Sequence, residues 1–378
     1  MQTDSRSSMQ PNSANSVQQP RTGDHPLPTG DIGGSQEPPS LGERLKQPRT
    51  LISFAIAAFV IFLLIRGLDI SYSVVWAQIK QANKALLVMA LATYYVAILI
   101  RSVRWRMMLE KVVVNRTAGE TIPSISSTWQ MVVLSLFVNC IVPARLGDAY
   151  RSFLLKDQNR ISFGVSFGTI LAERLIDLVV MVGVVLVAGV MVFGTHAPGR
   201  AEQAFLLGLG VVVIGVIGAV CLYVFRHRIE NLLPSRFTGH YQRLNDGIFS
   251  ILGRPYPYMG MGVLIWLLDG LRVWLVVRAV GAEISLAEAV VVSLLSALVT
   301  IIPFTPAGVG FVEGFMIWLL PQFGIAQATA VAIALIDRFI TFISLIVVGI
   351  VLYLLNLRRG SDRDFREAER QELQHEAG

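Results

Sequence analysis

The chain has 378 residues, of which 53% are hydrophobic and only 15% charged, and its mean hydropathy is +0.59. A soluble domain carries roughly 25% charged residues, so a single water-soluble core is excluded and lipid is the main solvent. The 32 basic and 26 acidic side chains leave a formal charge of +6, but in a membrane chain the placement of charge matters more than its sum, and no nucleic-acid partner is implied.

Residues 1–47 are rich in Ser, Pro, Gln, Gly and Asn and lack a periodic apolar face, so they read as a disordered cytoplasmic tail. The start has no signal-peptide layout, and the first apolar run is expected to be a retained helix. Residues 48–357 form the transmembrane domain, with apolar runs at about 51–68, 86–109, 129–143, 164–193, 204–225, 257–281, 288–320 and 327–355. Residues 358–378 are a charged cytoplasmic tail. Cys140 and Cys221 both fall inside apolar runs, so no disulfide framework is expected. The five histidines are scattered in tails and loops, so neither a metal site nor a cofactor is expected.

Two runs are broken. The run 129–143 is about 15 residues, roughly 22 Å as a helix, against the ~30 Å a crossing needs, and it stops at PARLGDAYR. The run 288–320 is interrupted by IPFTPAGVG, where Pro303, Pro306, Gly308 and Gly310 oppose a continuous helix. Each reads as a re-entrant hairpin. The fold class is therefore an all-α polytopic membrane protein of about six full transmembrane helices plus two re-entrant broken-helix hairpins. An eight-crossing count keeps the same parity.

Basic clusters set the orientation. Arg44, Lys46 and Arg49, the group from Arg101 to Arg116, the group from Arg151 to Arg160, the group from Arg226 to Arg254, and Arg358 with Arg359 all fall on the cytoplasmic side in the six-crossing arrangement. Both termini are then cytoplasmic. The result is an inverted repeat of span, hairpin and span. Arg104 and Arg272 in the leading spans, Pro143-Ala144 and Pro306-Ala307 at the breaks, and Arg174 and Arg338 afterwards are weak echoes between the halves. Inverted repeats with broken helices recur in secondary transporters.

Ionisable residues inside spans are costly and need a partner or a wet cavity. Glu173 and Asp177 lie at i and i+4 with Arg174 beside them, and Asp269 and Arg272 at i and i+3 are placed to pair directly. Asp337 and Arg338 are adjacent, about 100° apart on a helix, so they should reach different neighbours. Arg145, Asp148 and Arg151 can share one helical face, where arginine forks and a helix N-terminus suit phosphate. For Arg145 and Arg151 the alternative is snorkelling to the cytoplasm. Asn139 can bond freed carbonyls, Glu313 supplies a carboxylate after the second break, and Gly147 follows the first. Arg101 and Arg106, with Trp105 and Trp76, read as an interfacial anchor. Interhelical ion pairs that only fix packing remain the alternative for any one of these charges.

The stretches RSVRWRMML, NCIVPARLGDAYRSFLL, AERLIDL, TPAGVGFVEG and the Asp-Arg of ALIDRF resemble the transmembrane region of bacterial lysylphosphatidylglycerol synthases and related stand-alone flippase-like proteins, over about residues 50–356. The resemblance implies a lipid-flipping or lipid-handling domain. The family's motif positions fall on Arg104, Asn139, Pro143, Arg145, Gly147, Asp148, Arg151, Glu173, Arg174, Asp177, Pro306, Gly308, Gly310, Glu313 and Arg338. The second break reads PAGVG where a PGG-type string is common, and the stretch after Arg359 is too short for the aminoacyl-transferring domain of the full synthases.

The expected function is translocation of a phospholipid or other lipid-linked phosphate headgroup across a bacterial inner membrane, without enzymatic activity. The groove would be lined by Arg104, Asn139, Arg145, Asp148, Arg151, Glu173, Arg174, Asp177, Asp269, Arg272, Glu313, Asp337 and Arg338. The alternatives are a membrane-embedded transferase on lipid-linked substrates and a non-catalytic partner of a lipid-modifying enzyme. Membrane lipids are the expected partners, with a separately encoded lipid-modifying enzyme as a further candidate.

Overall fold

The computed structural model describes residues 71–113, 120–142, 146–194, 247–300 and 305–356, with isolated helical positions between 203 and 245. The expected tails 1–47 and 358–378 and the first span lie outside the described residues, as does most of the span 204–225. Among the described residues every regular element is helical. They are α1 (Tyr72–Gln81), α2 (Lys84–Val113), α3 (Ile125–Ile141), α4 (Gly147–Asn159), α5 (Phe163–Phe193), α6 (Tyr256–Ala279), α7 (Leu286–Val299), α8 (Phe311–Leu319) and α9 (Gln327–Asn356). The short α1 has no counterpart among the expected elements.

Four helices, α2, α5, α6 and α9, are long and apolar enough to cross a membrane, and they coincide with four of the expected spans. Their starts are local chemistry. Asn83 Oδ1 accepts from the Ala85 N–H at 3.0 Å ahead of α2, and Ser162 Oγ from the Val165 N–H ahead of α5. Ahead of α7, Ser285 Oγ accepts from the Glu288 N–H while Glu288 Oε2 accepts from the Ser285 N–H. These caps satisfy N–H groups that a helix start leaves without partners.

The central pair is α2 against α6. The Asn83 N–H donates to the Ala279 carbonyl at 2.8 Å, and a Cβ at Gly262 would lie 3.1 Å from Arg104 Nη1. Low numbers on one helix thus meet high numbers on the other, and the two run antiparallel. Helix α9 packs on α2, where Tyr94 Oη donates to the Thr341 carbonyl at 3.0 Å and Tyr95 Oη bonds Ser344 Oγ at 3.1 Å. The Thr341 carbonyl lies within a π turn, Phe339–Ile343, whose altered ladder sits directly after the Asp337-Arg338 pair.

Both breaks are helix–turn–helix hairpins. Neither α3, 17 residues and about 26 Å long, nor α4, 13 residues and about 20 Å, reaches the ~30 Å of a crossing. Their open ends meet, with the Thr121 N–H donating to the Asn159 carbonyl at 3.2 Å and Asn159 Nδ2 to Thr121 Oγ1 at 3.1 Å. The chain therefore returns to the level at which it entered. In the second hairpin, α7 (14 residues) and α8 (9 residues) are shorter still. Helix α7 turns back along α6 to bring Val290 against Gly270, and Gln327 Nε2 at the head of α9 donates to the Ile317 carbonyl near the end of α8. The end of α3 packs on the Pro306–Gly308 turn, so the two breaks meet.

The second break uses left-handed backbone. Ala307 has φ +49°, Gly308 +69° and Gly310 +88°. Ala307 is held in a conformation that favours glycine, at the steric cost a Cβ imposes there. At the first break, a Cβ on Gly147 would be driven into the Ser135 carbonyl, so the close approach of α4 to α3 needs that glycine.

A buried layer of paired charges

Arg104 projects from α2 and is fully buried. Its Nη1 donates to Asp177 Oδ1 at 2.7 Å, and its Nη2 donates to Glu173 Oε1 at 2.9 Å and Asp177 Oδ2 at 3.2 Å. The other oxygen of Glu173 accepts from Arg151 Nη2 of α4 at 2.8 Å. One buried carboxylate of α5 thus bridges arginines from a span and from a hairpin. The Arg151 guanidinium also lies over the Trp105 ring at 4.3 Å, and Trp105 Nε1 donates to Thr169 Oγ1 at 3.1 Å. Cation–π contact and charge-assisted hydrogen bonding together offset the desolvation of Arg151.

The next residue along α5 points elsewhere. Arg174 grips Asp148 of α4, Nη2 to Oδ1 at 2.9 Å and Nε to Oδ2 at 3.2 Å. The dipeptide Glu173-Arg174 therefore ties α2 with one side chain and the hairpin with the other. The same wiring recurs in the second half. Asp337 of α9 is ion-paired to Arg272 of α6, and Arg338 Nε pairs with Glu313 Oε1 of α8 at 2.5 Å. Glu313 Oε2 also accepts from the Gly310 N–H at 2.7 Å, and Arg338 Nη1 donates to the Ala307 carbonyl at 3.4 Å. Arg338 and Glu313 thus hold the strained turn from both sides. In each half, the acid of an acid-arginine dipeptide meets the leading-span arginine and its arginine meets the hairpin acid.

Several expectations are corrected by this geometry. Asp148 and Arg151 do share a face of α4, but the face is turned to Glu173 and Arg174 rather than left open to a ligand. Arg151 is only 2% exposed, so it does not snorkel. Trp105 is fully buried beneath it and is no interfacial anchor, because α2 continues to Val113 and places it inside the bundle. Asn139 Oδ1 caps an N–H, that of Gly147 at 2.8 Å, and not a freed carbonyl. Arg272 does approach Asp269, Nε to Oδ1 at 3.7 Å, as its i,i+3 spacing leads one to expect, and it is also ion-paired to Asp337. Arg145, Pro143 and Pro303 lie outside the described residues. Pro306, Gly308 and Gly310 form the turn itself.

Trp105, Tyr94 and Arg101 were not assigned to the layer from sequence. Their signal is positional: Arg101, Arg104, Trp105 and Met108 stand at i, i+3, i+4 and i+7, one face of α2. Arg106, by contrast, stays at the surface, pairing with Glu110 at 2.9 Å and donating to the Pro123 carbonyl.

Residues 50–349 match the family described as the lysylphosphatidylglycerol synthase TM region. The chain belongs to this family. Its relatives include a UPF0104 membrane protein of Methanocaldococcus jannaschii, 26% identical over 221 residues that make up 58% of this chain and 94% of that one. A UPF0104 membrane protein of Methanothermobacter thermautotrophicus is 30% identical over 245 residues, 58% of this chain and 72% of that one. Glycosyltransferase AglD of Haloferax volcanii is 25% identical over 345 residues, covering 80% of this chain and 54% of that protein. The family is thus one of multi-pass membrane proteins with archaeal members. The expectation of a protein without enzymatic activity is overturned, since the domain is shared with a protein named as a glycosyltransferase and with a family named for a synthase.

Proposed function

We propose that this family member carries phosphate-bearing lipids between leaflets along the polar seam where its two hairpins meet, acyl chains remaining in the bilayer. The observation that carries the reading is the buried layer itself. Arg104, Arg151, Arg174, Arg272 and Arg338 with their carboxylates sit among membrane-spanning helices, where replacement by apolar residues is often no worse for stability. Charge at that depth is retained for a polar substrate. The exposure of Arg174, Asp148 and Asp269, whose side chains are 26%, 14% and 19% accessible, supports a face open to such a group. We place the protein in the cytoplasmic membrane with its basic ends inside, following the charge distribution of the sequence. A separately encoded lipid-modifying enzyme is the partner this reading calls for.

A second reading, a membrane-embedded transferase on lipid-linked substrates, is favoured by the likeness to glycosyltransferase AglD. In it the same layer positions the lipid phosphate and a carboxylate, the buried Asp177 or the part-exposed Asp148, acts as base. Reconstitution into liposomes with fluorescent phospholipids and a membrane-impermeant quencher separates the two. Translocation by wild type that is lost with Arg174→Ala supports the first reading; protection of the inner leaflet with every lipid, together with glycosyl or aminoacyl transfer to lipid in a membrane assay, supports the second.

A further inference from the structure

The charges of the layer do not match evenly between the halves. The first half has three arginines, Arg104, Arg151 and Arg174, against three carboxylates, Asp148, Glu173 and Asp177. The second half has two arginines, Arg272 and Arg338, against three carboxylates, Asp269, Glu313 and Asp337. Asp269 is the surplus anion. Its one ion pair among the described residues is the 3.7 Å approach to Arg272 Nε, beyond hydrogen-bond length, and it shares that arginine with Asp337.

The balancing cation is Arg101. It sits one turn along α2 from Arg104, on the same face, and is partly buried. Among the described residues its guanidinium has no hydrogen-bond or ion-pair partner, whereas each of the five layer arginines has one. Its charge nevertheless reaches both Glu173 and Asp269. Arg101 lies three residues from Arg104, about 4.5 Å along the helix from the buried layer. An unpaired arginine at such a depth is costly unless a ligand meets it. Asp269 lies on α6, which packs antiparallel against α2, about one turn along from the position level with Arg101. Around them Val96 and Leu99 of α2 and Leu264 and Leu267 of α6 are exposed apolar side chains, a surface for acyl chains and not for a free aqueous solute.

We propose that Arg101 and Asp269 are the headgroup-recognition pair for a zwitterionic phospholipid, Arg101 taking the phosphate and Asp269 the ammonium group. The inference rests on the lipid-carrying reading above and adds its substrate class. A separated cation and anion that do not pair with each other complement a headgroup of the same pattern, while the five paired arginines hold the helices that present them. A purely anionic headgroup would meet Asp269 as a like charge, and rejection of it follows.

The test uses the full chain in liposomes with acyl-labelled phosphatidylethanolamine or phosphatidylglycerol and a reducing quencher, alongside native mass spectrometry of the lipids retained by the purified protein. Wild type is expected to move and retain phosphatidylethanolamine in preference to phosphatidylglycerol. Arg101→Gln should weaken both activities about tenfold or more, the scale of one lost charge-assisted contact, with Arg101→Lys restoring part. Asp269→Asn should remove the preference between the two lipids. Variants that move and retain both lipids as wild type does, or a wild type that prefers phosphatidylglycerol, overturn the pair. A wild type that moves neither lipid counts against the carrier reading; the retained-lipid preference and its loss in Asp269→Asn then decide the recognition pair by itself.

Discussion

The two halves of the molecule use the same wiring with different closure. In the first, Glu173 joins Arg104 and Arg151, Asp177 adds a second clasp on Arg104, and Trp105 underlies Arg151, so the side chains of three helices form one network. In the second, Arg272–Asp337 and Arg338–Glu313 share no side chain with each other. A network joined through shared side chains locks geometry, and pairs that are not joined to each other leave room for rearrangement. The difference teaches that the first hairpin is the rigid frame of the repeat and the second, with its left-handed turn, is the half suited to move.

That contrast can be broken by charge removal. Glu173→Ala leaves two buried arginines without their shared carboxylate, and is expected to destabilise by about 3–5 kcal/mol, with loss of monodisperse protein in detergent. Asp337→Ala leaves Arg272 its approach to Asp269 and should cost less. Equal thermal shifts for the two variants would remove the distinction between frame and mobile half. Next in size, Gly147→Ala forces a methyl into the Ser135 carbonyl and should cost about 1–3 kcal/mol, seen as a lower melting temperature, since backbone cannot give way as a side chain can.

A smaller effect sharpens the comparison within the first half. A double-mutant cycle of Asp148→Asn and Arg174→Gln should give a coupling of about 1 kcal/mol, well under the effect of Glu173, because this pair is part-exposed. Smallest is Ala307→Gly in the second half. A residue held at φ +49° gains from losing its Cβ, and stability should stay level or rise by up to ~1 kcal/mol. A marked loss of stability in this variant would show that the turn needs the alanine methyl for packing.

Much of the frame was legible in the sequence. The spans α2, α5, α6 and α9 follow from unbroken apolar length, and the breaks from proline, glycine and charge inside apolar runs, all of which are local properties. The divergence of Asp337 and Arg338 followed from helical geometry, and they do reach Arg272 and Glu313 respectively. The pairing of Arg104 with Glu173 and Asp177 was not legible, because the partners are 69 and 73 residues apart and meet only through the crossing of α2 and α5. Trp105 read as an anchor because tryptophan beside arginines is the usual interfacial composition; burial beneath Arg151 reassigns it.

The sequence by itself therefore determined the solvent, the spans, the two breaks and the presence of an acid-arginine dipeptide in each half, since hydropathy and helix-breaking act over a few residues at a time. Only the tertiary structure decided which charges cancel and which remain. Arg101 and Arg104 are one turn apart on one helix and chemically identical, yet the packing of α2 on α5 brings carboxylates within hydrogen-bond reach of Arg104 and, among the described residues, not of Arg101. Ion pairing depends on ångström-scale distances between distant segments, and those are fixed by packing.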